Sequence, residues 1–269
     1  MKSDSEEIAG EFLEISSEQR LNLILNLSTE KSNLSSMARK LDATPAEVHR
    51  NFGRLQKAGM VKRDSDGNYD LTLYGRTICS QIPTIRFMAR NKRYFESHGF
   101  ADLPTKFVQR LGALLESDMV SGYVKVIEQW ENIYKNAEKY IYNILIEIPY
   151  NEKLVQTLQD KLKNKVAISS IFSESAVISK ERHDLLSKFD FSKFVKDGTL
   201  ERKMLKDAKI ALIMNEMEAG LSFPSDSGEP DMSKMFHSTD RSFHEWCLDF
   251  FSECWKNAGA FQESKIAKC

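Results

Sequence analysis

Hydrophobic positions near the start of the chain recur at helical spacing. In residues 18–29, Leu21, Ile24 and Leu25 fall on one stripe, which predicts an amphipathic helix. Residues 33–41 predict a second, shorter helix, whose inward positions are Leu34, Met37, Ala38 and Leu41. The first module of the chain therefore begins with two short helices.

A third helix has a clear start and a clear end. Thr44 is suited to cap a helix, Pro45 suits its first position, and Glu47 stands three residues after the cap. Gly59 is placed to end the helix. The buried stripe is predicted to be Val48, Phe52 and Leu55. The residues left to point outward or to the flanks are Glu47, His49, Arg50, Arg54 and Lys57.

A hairpin follows this helix. Residues 60–64 (MVKRD) and 68–73 (NYDLTL) alternate like strands and are joined through Ser65-Asp66-Gly67-Asn68. An Asp-Gly pair between alternating stretches is a strong hairpin signal. Two helices, a capped third helix and a hairpin make the order of a winged helix-turn-helix, which we assign to residues 18–75.

The outward residues of the third helix have the chemistry of a DNA contact. Arg50 and Arg54 can donate two hydrogen bonds to guanine or clamp phosphate, and the helix N-terminus at Thr44 can take a phosphate. On the wing, Lys62 and Arg63 can reach the adjacent backbone or the minor groove. The predicted DNA-binding residues are Thr44, Pro45, Glu47, His49, Arg50, Arg54, Lys57, Lys62 and Arg63.

The wing tip leaves an alternative open. Asp64 and Asp66 would repel phosphate, which favours a wing that does not enter a groove deeply. It also keeps open a winged helix used for protein–protein contact, without specific DNA binding.

Residues 18–75 resemble the ArsR-like winged-helix family. The resemblance rests on the string R-N-F-G-R-L-Q-K-A-G-M-V at 50–61, followed by Y-D-L-T-x-x-G at 69–75. These strings match the recognition-helix and wing pattern of that family. The resemblance implies double-stranded DNA as the partner.

The next segment, residues 76–139, is predicted to be a set of connecting helices. Near-heptad spacing in residues 75–98 predicts one helix kinked at Pro83, with its seam at Ile78, Ile82, Ile85 and Met88 or Ala89. The seam could pair with its twin in a homodimer, or pack against the second domain of the same chain. Residues 105–117 and 122–139 predict two further helices. The basic group Arg90, Lys92 and Arg93 either supplements phosphate contact or forms a solvated face.

From residue 140 to 258 the pattern is that of an α/β domain with a mixed sheet. A strand at 140–149, a helix at 151–164 and a strand at 165–172 predict a right-handed parallel crossover. The remaining predicted elements are a helix at 181–198, a strand at 200–205, a strand and hairpin at 209–224, a loop at 225–231 and a closing helix at 241–258. Asp240 is a plausible cap for that closing helix. Residues 1–17 are expected to be an acidic extension and residues 259–269 a tail.

This second part, over residues 96–258, resembles the sensor domain of archaeal winged-helix regulators of the methanogenesis-regulator and TrmB-like families. The resemblance rests on A-E-K-Y-I at 137–141, on K-I-A-L-I-M-N-E-M-E-A-G-L-S-F-P at 209–224 and on F-H-E-W-C-L-D-F-F-S-E-C-W at 243–255. It implies a phospholipase-D-like core, and with it an enzymatic alternative of the phosphodiesterase type.

The residues that the phosphodiesterase alternative requires are missing from the sequence. The phospholipase-D motif is His-x-Lys-x4-Asp, and none of the five histidines, His49, His98, His183, His237 and His244, has Lys two positions later. Phosphate-binding loops, nucleophile elbows and zinc-protease motifs are also missing from the sequence. We therefore predict a protein that is not an enzyme, with no catalytic residues, no metal site and no cofactor.

Charge and composition refine this assignment. The net charge is −1, but residues 18–95 carry 14 Lys and Arg against 7 Asp and Glu, as expected of a nucleic-acid-binding part. No apolar run is long enough for a membrane span, and residues 1–14 lack a signal-peptide pattern, so we expect a cytoplasmic protein. Cys79, Cys247, Cys254 and Cys269 form no C-x-x-C pair, so they are expected to be core or surface thiols, with a redox switch as the alternative.

The sequence as a whole predicts an α+β, two-domain transcription regulator that binds double-stranded DNA. It is expected to be a homodimer without membrane contact and to sense a small-molecule effector of unknown identity, or a protein, through its second domain. Ligands of open α/β sheets bind beyond the carboxyl ends of the strands. This rule points to Pro149-Tyr150 and Ser173-Glu174.

Overall fold

The chain forms two compact units, Met1–Ile82 and Pro83–Cys269, and each is described by itself. The computed structural model describes residues 3–146, 152–174, 176–178, 191–265 and 267–268. The predicted class, a winged helix-turn-helix followed by helices and an α/β domain with a mixed sheet, is confirmed.

The first unit is a winged helix with one helix added in front. Its helices are α1 (Asp4–Ile15), α2 (Glu18–Thr29), α3 (Leu34–Lys40), α4 (Pro45–Lys57) and α5 (Leu73–Cys79). Its strands are β1 (Ser32–Asn33), β2 (Val61–Arg63) and β3 (Asn68–Leu71). They form an antiparallel sheet in the order β1-β3-β2. The predicted hairpin is therefore present, and β1 adds a third strand that the sequence pattern does not indicate.

The core of this unit contains the apolar stripes predicted from the sequence. Val48, Phe52 and Leu55 on α4 are all buried, and the ring of Phe52 stacks on that of Tyr69 with 3.8 Å between centroids. Met37 and Ala38 on α3 are buried as well. These contacts fix α4 on the sheet, so that the opposite side of the helix faces solvent.

The expectation of an acidic extension over residues 1–17 is incomplete, because most of this segment is α1. Ser3 caps the helix, its side chain accepting a hydrogen bond from the backbone N–H of Glu6, while the Glu6 carboxylate accepts one from the N–H of Ser3. None of the α1 side chains is buried. The helix could nevertheless be predicted from the sequence, since Ile8, Phe12 and Ile15 recur at helical spacing and Ser3 and Glu6 form a capping box.

The single kinked helix predicted over residues 75–98 is wrong. The segment forms α5, then α6 (Ile82–Arg90) and α7 (Lys92–Phe95). Pro83 is the second residue of α6, where the missing N–H of proline costs no helical hydrogen bond. The predicted seam is thereby divided: Ile78 packs in the core of the first unit, Met88 packs in that of the second, and Ile85 is 53% exposed.

The second unit is an α/β domain. Its helices beyond α7 are α8 (Thr105–Val108), α9 (Tyr123–Asn136), α10 (Glu152–Lys163), α11 (Ser192–Lys196) and α12 (Arg241–Asn257), with 3-10 turns at Leu111–Leu114 and Glu263–Lys265. Its strands are β4 (Asp118–Ser121), β5 (Tyr140–Leu145), β6 (Ala167–Ser173), β7 (Val177–Ile178), β8 (Leu200–Leu205), β9 (Ala211–Met214), β10 (Ala219–Ser222), β11 (Lys234–Ser238), β12 (Gly259–Ala260) and β13 (Ala267–Lys268).

Eight of the described strands form one mixed sheet, in the order β12-β8-β6-β5-β9-β10-β11-β4. The neighbours β5, β6 and β8 are parallel, which confirms the parallel pairing of the predicted crossover through α10; its handedness stays a prediction. The hairpin of β9 and β10 and the closing helix α12, capped by Asp240, are confirmed as well. The pairing of β11 with β4 is an addition to the prediction. It makes β4 an edge strand.

The helix predicted over residues 105–117 is also wrong. It is replaced by the short α8 and a 3-10 turn that begins at Leu111. Gly112, in that turn, lies so close to α6 that an added Cβ would stand 2.8 Å from Pro83 Cβ and from the backbone nitrogen of Thr84. The close approach of the two segments thus depends on a residue without a side chain.

Several predictions fall on residues outside those described. These are the end of the strand predicted at 140–149, most of the helix predicted at 181–198, Pro149-Tyr150, His183 and Cys269. Among the residues that are described, no helix combines the length and the apolar character needed to cross a bilayer.

Candidate nucleic-acid interface

The exposed side of α4 carries basic side chains separated by small residues. His49, Arg50, Arg54 and Lys57 are exposed on it. Gly53 lies between Arg50 and Arg54, and Ala46 lies one turn before them; a Cβ added to Gly53 would meet nothing within 4 Å. None of the large exposed apolar side chains of the first unit belongs to α4. The helix therefore offers positive charge and hydrogen-bond donors, with room at its centre for close approach.

The N-terminus of α4 is capped as predicted, and the cap limits its use as an anion site. The side chain of Thr44 accepts a hydrogen bond from the N–H of Glu47, and the Glu47 carboxylate accepts one from the N–H of Thr44 at 3.0 Å. The backbone hydrogen bond from Thr44 lowers the pKa of Glu47, which keeps a negative charge at this end. Pro45 has no N–H to offer, so the amide of Ala46 is left for a phosphate.

Arg54 is held by a carboxylate from α1. Its Nε donates to Glu14 Oε2 at 3.1 Å and its Nη2 donates to Glu14 Oε1 at 2.6 Å, and these bonds raise the pKa of Arg54. Glu14 is held in turn by Arg20 on α2, with 3.2 Å between Arg20 Nε and Glu14 Oε2. Arg20 also donates to the carbonyl oxygens of Leu13 and Glu14 at the end of α1. No spacing rule links residues 14 and 54, so the sequence prediction missed this contact.

At the wing tip, the carboxylate of Asp64 is engaged in hydrogen bonds, which the sequence did not show. The Asp64 carboxylate accepts hydrogen bonds from the backbone N–H groups of Asp66 and Asn68 and lies 3.6 Å from Lys31 Nζ. The Asp64 carboxylate therefore accepts hydrogen bonds within the β2–β3 turn, and Lys31 offsets part of its negative charge. The guanidinium of Arg63 lies over the ring of Tyr69, 5.5 Å from its centroid. Lys62 is exposed on β2, beside it.

The structure thus places the predicted DNA-binding residues on one module. All nine lie on α4, at its N-cap or on β2; eight of them are exposed, and Glu47 is half-buried within the cap. Their contact with DNA stays a prediction. To this group the structure adds Glu14, Arg20 and Gly53.

In the second unit, the described histidines make hydrogen bonds to neighbouring side chains and backbone carbonyls. His98 is buried, with Nε2 2.7 Å from Asp231 Oδ2 and Nδ1 2.9 Å from the carbonyl oxygen of Tyr94. His237 Nε2 lies 2.7 Å from Glu218 Oε2, and His244 Nε2 lies 2.7 Å from the carbonyl oxygen of Asn215. Within the described part of the chain, no three His, Cys, Asp or Glu side chains come together as a metal site.

The described cysteines are buried thiols. Burial raises the pKa of the Cys79 and Cys247 thiols and raises that of Cys254 to about 12. Because the thiolate is the reactive form, these positions favour the interpretation as core residues over that as a redox switch.

A cavity of about 340 Å³ opens at the carboxyl end of β8. Leu103, Ile144, Ile210 and Phe250 form its apolar surface, and Asp207 and Lys209 add charges from the β8–β9 loop. The predicted effector position at Ser173-Glu174 is a different place: Ser173 is fully buried, and Glu174 binds Lys265 Nζ at 2.7 Å.

Comparison with solved structures finds similarities at low sequence identity. No protein-family model matches the chain, and no curated protein sequence matches it. TrmBL2, an archaeal chromatin protein, is similar over 86% of this chain and 88% of its own, at 12% identity and a TM-score of 0.42. The resemblance to TrmB-like archaeal regulators and its ArsR-like detail stay predictions.

Two further solved structures match about half of the chain. NucT from Helicobacter pylori covers 54% of it with 99% of its own length, at 8% identity and a TM-score of 0.41. Nuc from Salmonella typhimurium, a phospholipase D family member, covers 55% with 100% of its own length, at 9% identity and a TM-score of 0.39. At such identities the likeness concerns the arrangement of helices and strands, and no individual side chain.

Proposed function

We propose that this protein is a sequence-specific, DNA-binding transcription regulator that acts in the cytoplasm. The observation that supports this function is the exposed side of α4, where His49, Arg50, Arg54 and Lys57 surround a glycine. An α-helix fits the major groove, and arginine is the side chain that most often makes specific contacts there. In this proposal α4 is the recognition helix, and Lys62 and Arg63 contact the backbone beside it.

The protein-adaptor alternative has less support from the same surface. A protein-binding helix buries apolar or aromatic anchors at the centre of its interface. The exposed side of α4 has none; the large exposed apolar side chains of the first unit are Ile8, Phe12, Leu13, Leu73 and Tyr74, on α1 and α5. A helix that presents cations around small residues is better matched to a polyanion.

We further propose that the active form is a homodimer and that the second unit senses an effector or a partner protein. A dimer brings two recognition helices to two half-sites, as is common for helix-turn-helix regulators. The cavity at the end of β8 has a size suited to a small molecule. An effector would act by binding one arrangement of the dimer better than another. This function needs neither a cofactor nor a catalytic residue.

Fluorescence anisotropy tests the proposal directly. The full-length protein is titrated into labelled duplex DNA from upstream of its own gene at several salt concentrations, beside an Arg50→Ala/Arg54→Ala double variant. Affinity is expected to fall steeply with salt, because phosphate contacts release counterions. The double variant is expected to bind about tenfold more weakly or worse.

The control is Lys163→Ala/Lys196→Ala, which removes the same charge from exposed positions of the second unit. It is expected to bind like the wild type. If the wild type and the α4 variant bind equally poorly at low salt, α4 is not a recognition helix. The adaptor function would then be the better description.

A further inference from the structure

The contact between Glu14 and Arg54 joins two helices that a minimal winged helix would not connect. Both carboxylate oxygens of Glu14 receive hydrogen bonds from Arg54, at 3.1 and 2.6 Å. The carboxylate is also well anchored: the Glu14 side chain is 18% exposed, and the buried Arg20 holds it and the end of α1. The partner of Arg54 is therefore fixed in place before any DNA arrives.

The geometry of this pair decides which edge of Arg54 is free. Glu14 occupies the side of the guanidinium formed by Nε and Nη2. A guanidinium has five N–H groups, so Nη1 and the second N–H of Nη2 remain as an outward pair. Among the described residues this outward edge has no partner, and the Arg54 side chain is 47% exposed. Arg54 can thus make a second bidentate contact while it keeps the first.

The charge of the pair favours a base over a phosphate. A carboxylate at bidentate distance offsets the positive charge of Arg54, so the pair attracts a phosphate only weakly. Hydrogen bonds to a base edge depend on the direction of the N–H donors, and the contact with Glu14 keeps the Arg54 donors in a fixed direction. The acceptors that match an arginine fork in the major groove are O6 and N7 of guanine.

We propose that Glu14 is a positioning residue that holds Arg54 for the readout of one guanine in the major groove. This inference rests on the proposed function, since it requires α4 to be the recognition helix. It goes beyond it by assigning the base contact to Arg54 and the control of that contact to a residue of α1. The opposite role, in which Glu14 competes with DNA for Arg54, gives a different experimental result.

The test compares base discrimination at single positions. The probe is a 20-base-pair duplex enriched from a random library by the wild-type protein, together with variants in which each G·C pair in turn becomes A·T. Binding is measured by fluorescence anisotropy for the wild type, Glu14→Gln, Arg54→Ala and the control Glu7→Gln. Glu7→Gln removes the same charge from an exposed position of α1.

Replacing one particular G·C pair with A·T is expected to weaken DNA binding by the wild type and by Glu7→Gln about tenfold. The same replacement should have no effect on Arg54→Ala and should weaken Glu14→Gln by less than about threefold. On a duplex of scrambled sequence, Glu14→Gln is expected to bind at least as tightly as the wild type, because a negative charge has gone. Partial unfolding of a variant cannot imitate this result, since the folded fraction cancels in the ratio of two affinities.

Three results would overturn the inference. The first is that Glu14→Gln binds every duplex more tightly with unchanged discrimination, which would make Glu14 a competitor of DNA. The second is that Glu14→Gln binds with unchanged affinity and discriminates as the wild type does, and the third is that no guanine depends on Arg54. In all three cases the proposed function survives if Arg50→Ala/Arg54→Ala still weakens binding. If the wild type enriches no sequence, the proposed function fails together with the inference.

Discussion

Gly53 at the centre of α4 allows a prediction in which stability and DNA affinity change in opposite directions. Glycine in the interior of a helix is about 0.8–1.0 kcal/mol less favourable than alanine. A Cβ at Gly53 would meet nothing within 4 Å, so Gly53→Ala brings no steric cost in the free protein. The first unit should therefore be stabilised by up to about 1 kcal/mol. For a unit of this size that corresponds to a rise of roughly 4–8 °C in its melting temperature.

The same methyl group would stand in the proposed interface, between Arg50 and Arg54 on the exposed side of α4. Adding one carbon to a closely packed contact costs about 1–3 kcal/mol. We therefore expect Gly53→Ala to bind DNA about fivefold more weakly or worse, although it is the more stable protein. Thermal unfolding followed by circular dichroism measures the first effect, and fluorescence anisotropy with duplex DNA measures the second.

Gly10→Ala on α1 is the matched control, since a Cβ there also meets nothing within 4 Å. It should raise stability without changing DNA affinity. If Gly53→Ala binds DNA as well as the wild type, the centre of α4 does not approach DNA, and the recognition-helix assignment is wrong. If it lowers the melting temperature instead, the argument from open space around Gly53 fails.

Two further predictions concern the stability of each unit. Phe52→Ala removes a fully buried ring that stacks on Tyr69, so it should destabilise the first unit by about 3–5 kcal/mol in urea denaturation. Phe12→Ala, at a position 56% exposed, should change it by less than about 0.5 kcal/mol, and equal effects would contradict the assigned core. In the second unit, the hydrogen bond from His237 lowers the pKa of Glu218, so the ionised carboxylate stabilises the fold above the unfolded pKa of about 4.3, and this stabilisation is lost as pH falls through the lowered folded pKa. Glu218→Gln should accordingly be about 1–2 kcal/mol less stable than the wild type at pH 7, and the difference should close in acid; a difference that is the same at pH 7 and pH 3 would refute the ionic account.

Local signals in the sequence predicted the local elements well. Thr44 and Glu47 mark the start of α4, Asp240 marks that of α12, and the Asp66-Gly67 pair marks the hairpin. Each signal acts within a few residues, through a cap or a turn that the backbone itself needs. For the same reason the nine predicted DNA-binding residues could be placed on the winged-helix module before the structure was known.

The features that the sequence did not predict depend on contacts between distant residues. β4 is four residues long and pairs with β11, more than a hundred residues later, so no local pattern identifies it. The position of α1 depends on Ile15, which packs against the core of the first unit, and on the hydrogen bonds from Arg20, and no local pattern shows these contacts. The contact between Glu14 and Arg54 spans forty positions. In each case the determining interaction appears only when the chain has folded.

The place of α1 also changes where the winged-helix unit begins. A winged helix that started at Glu18 would retain Arg20, whose side chain is 8% exposed, and would remove the Leu13 and Glu14 oxygens that it binds. The same cut would release Arg54 from its only ion pair among the described residues. Because one buried arginine couples the end of α1 to the exposed side of α4 through Glu14, we propose that the winged-helix unit begins at α1 and that the acidic N-terminal segment belongs to the proposed DNA-binding module.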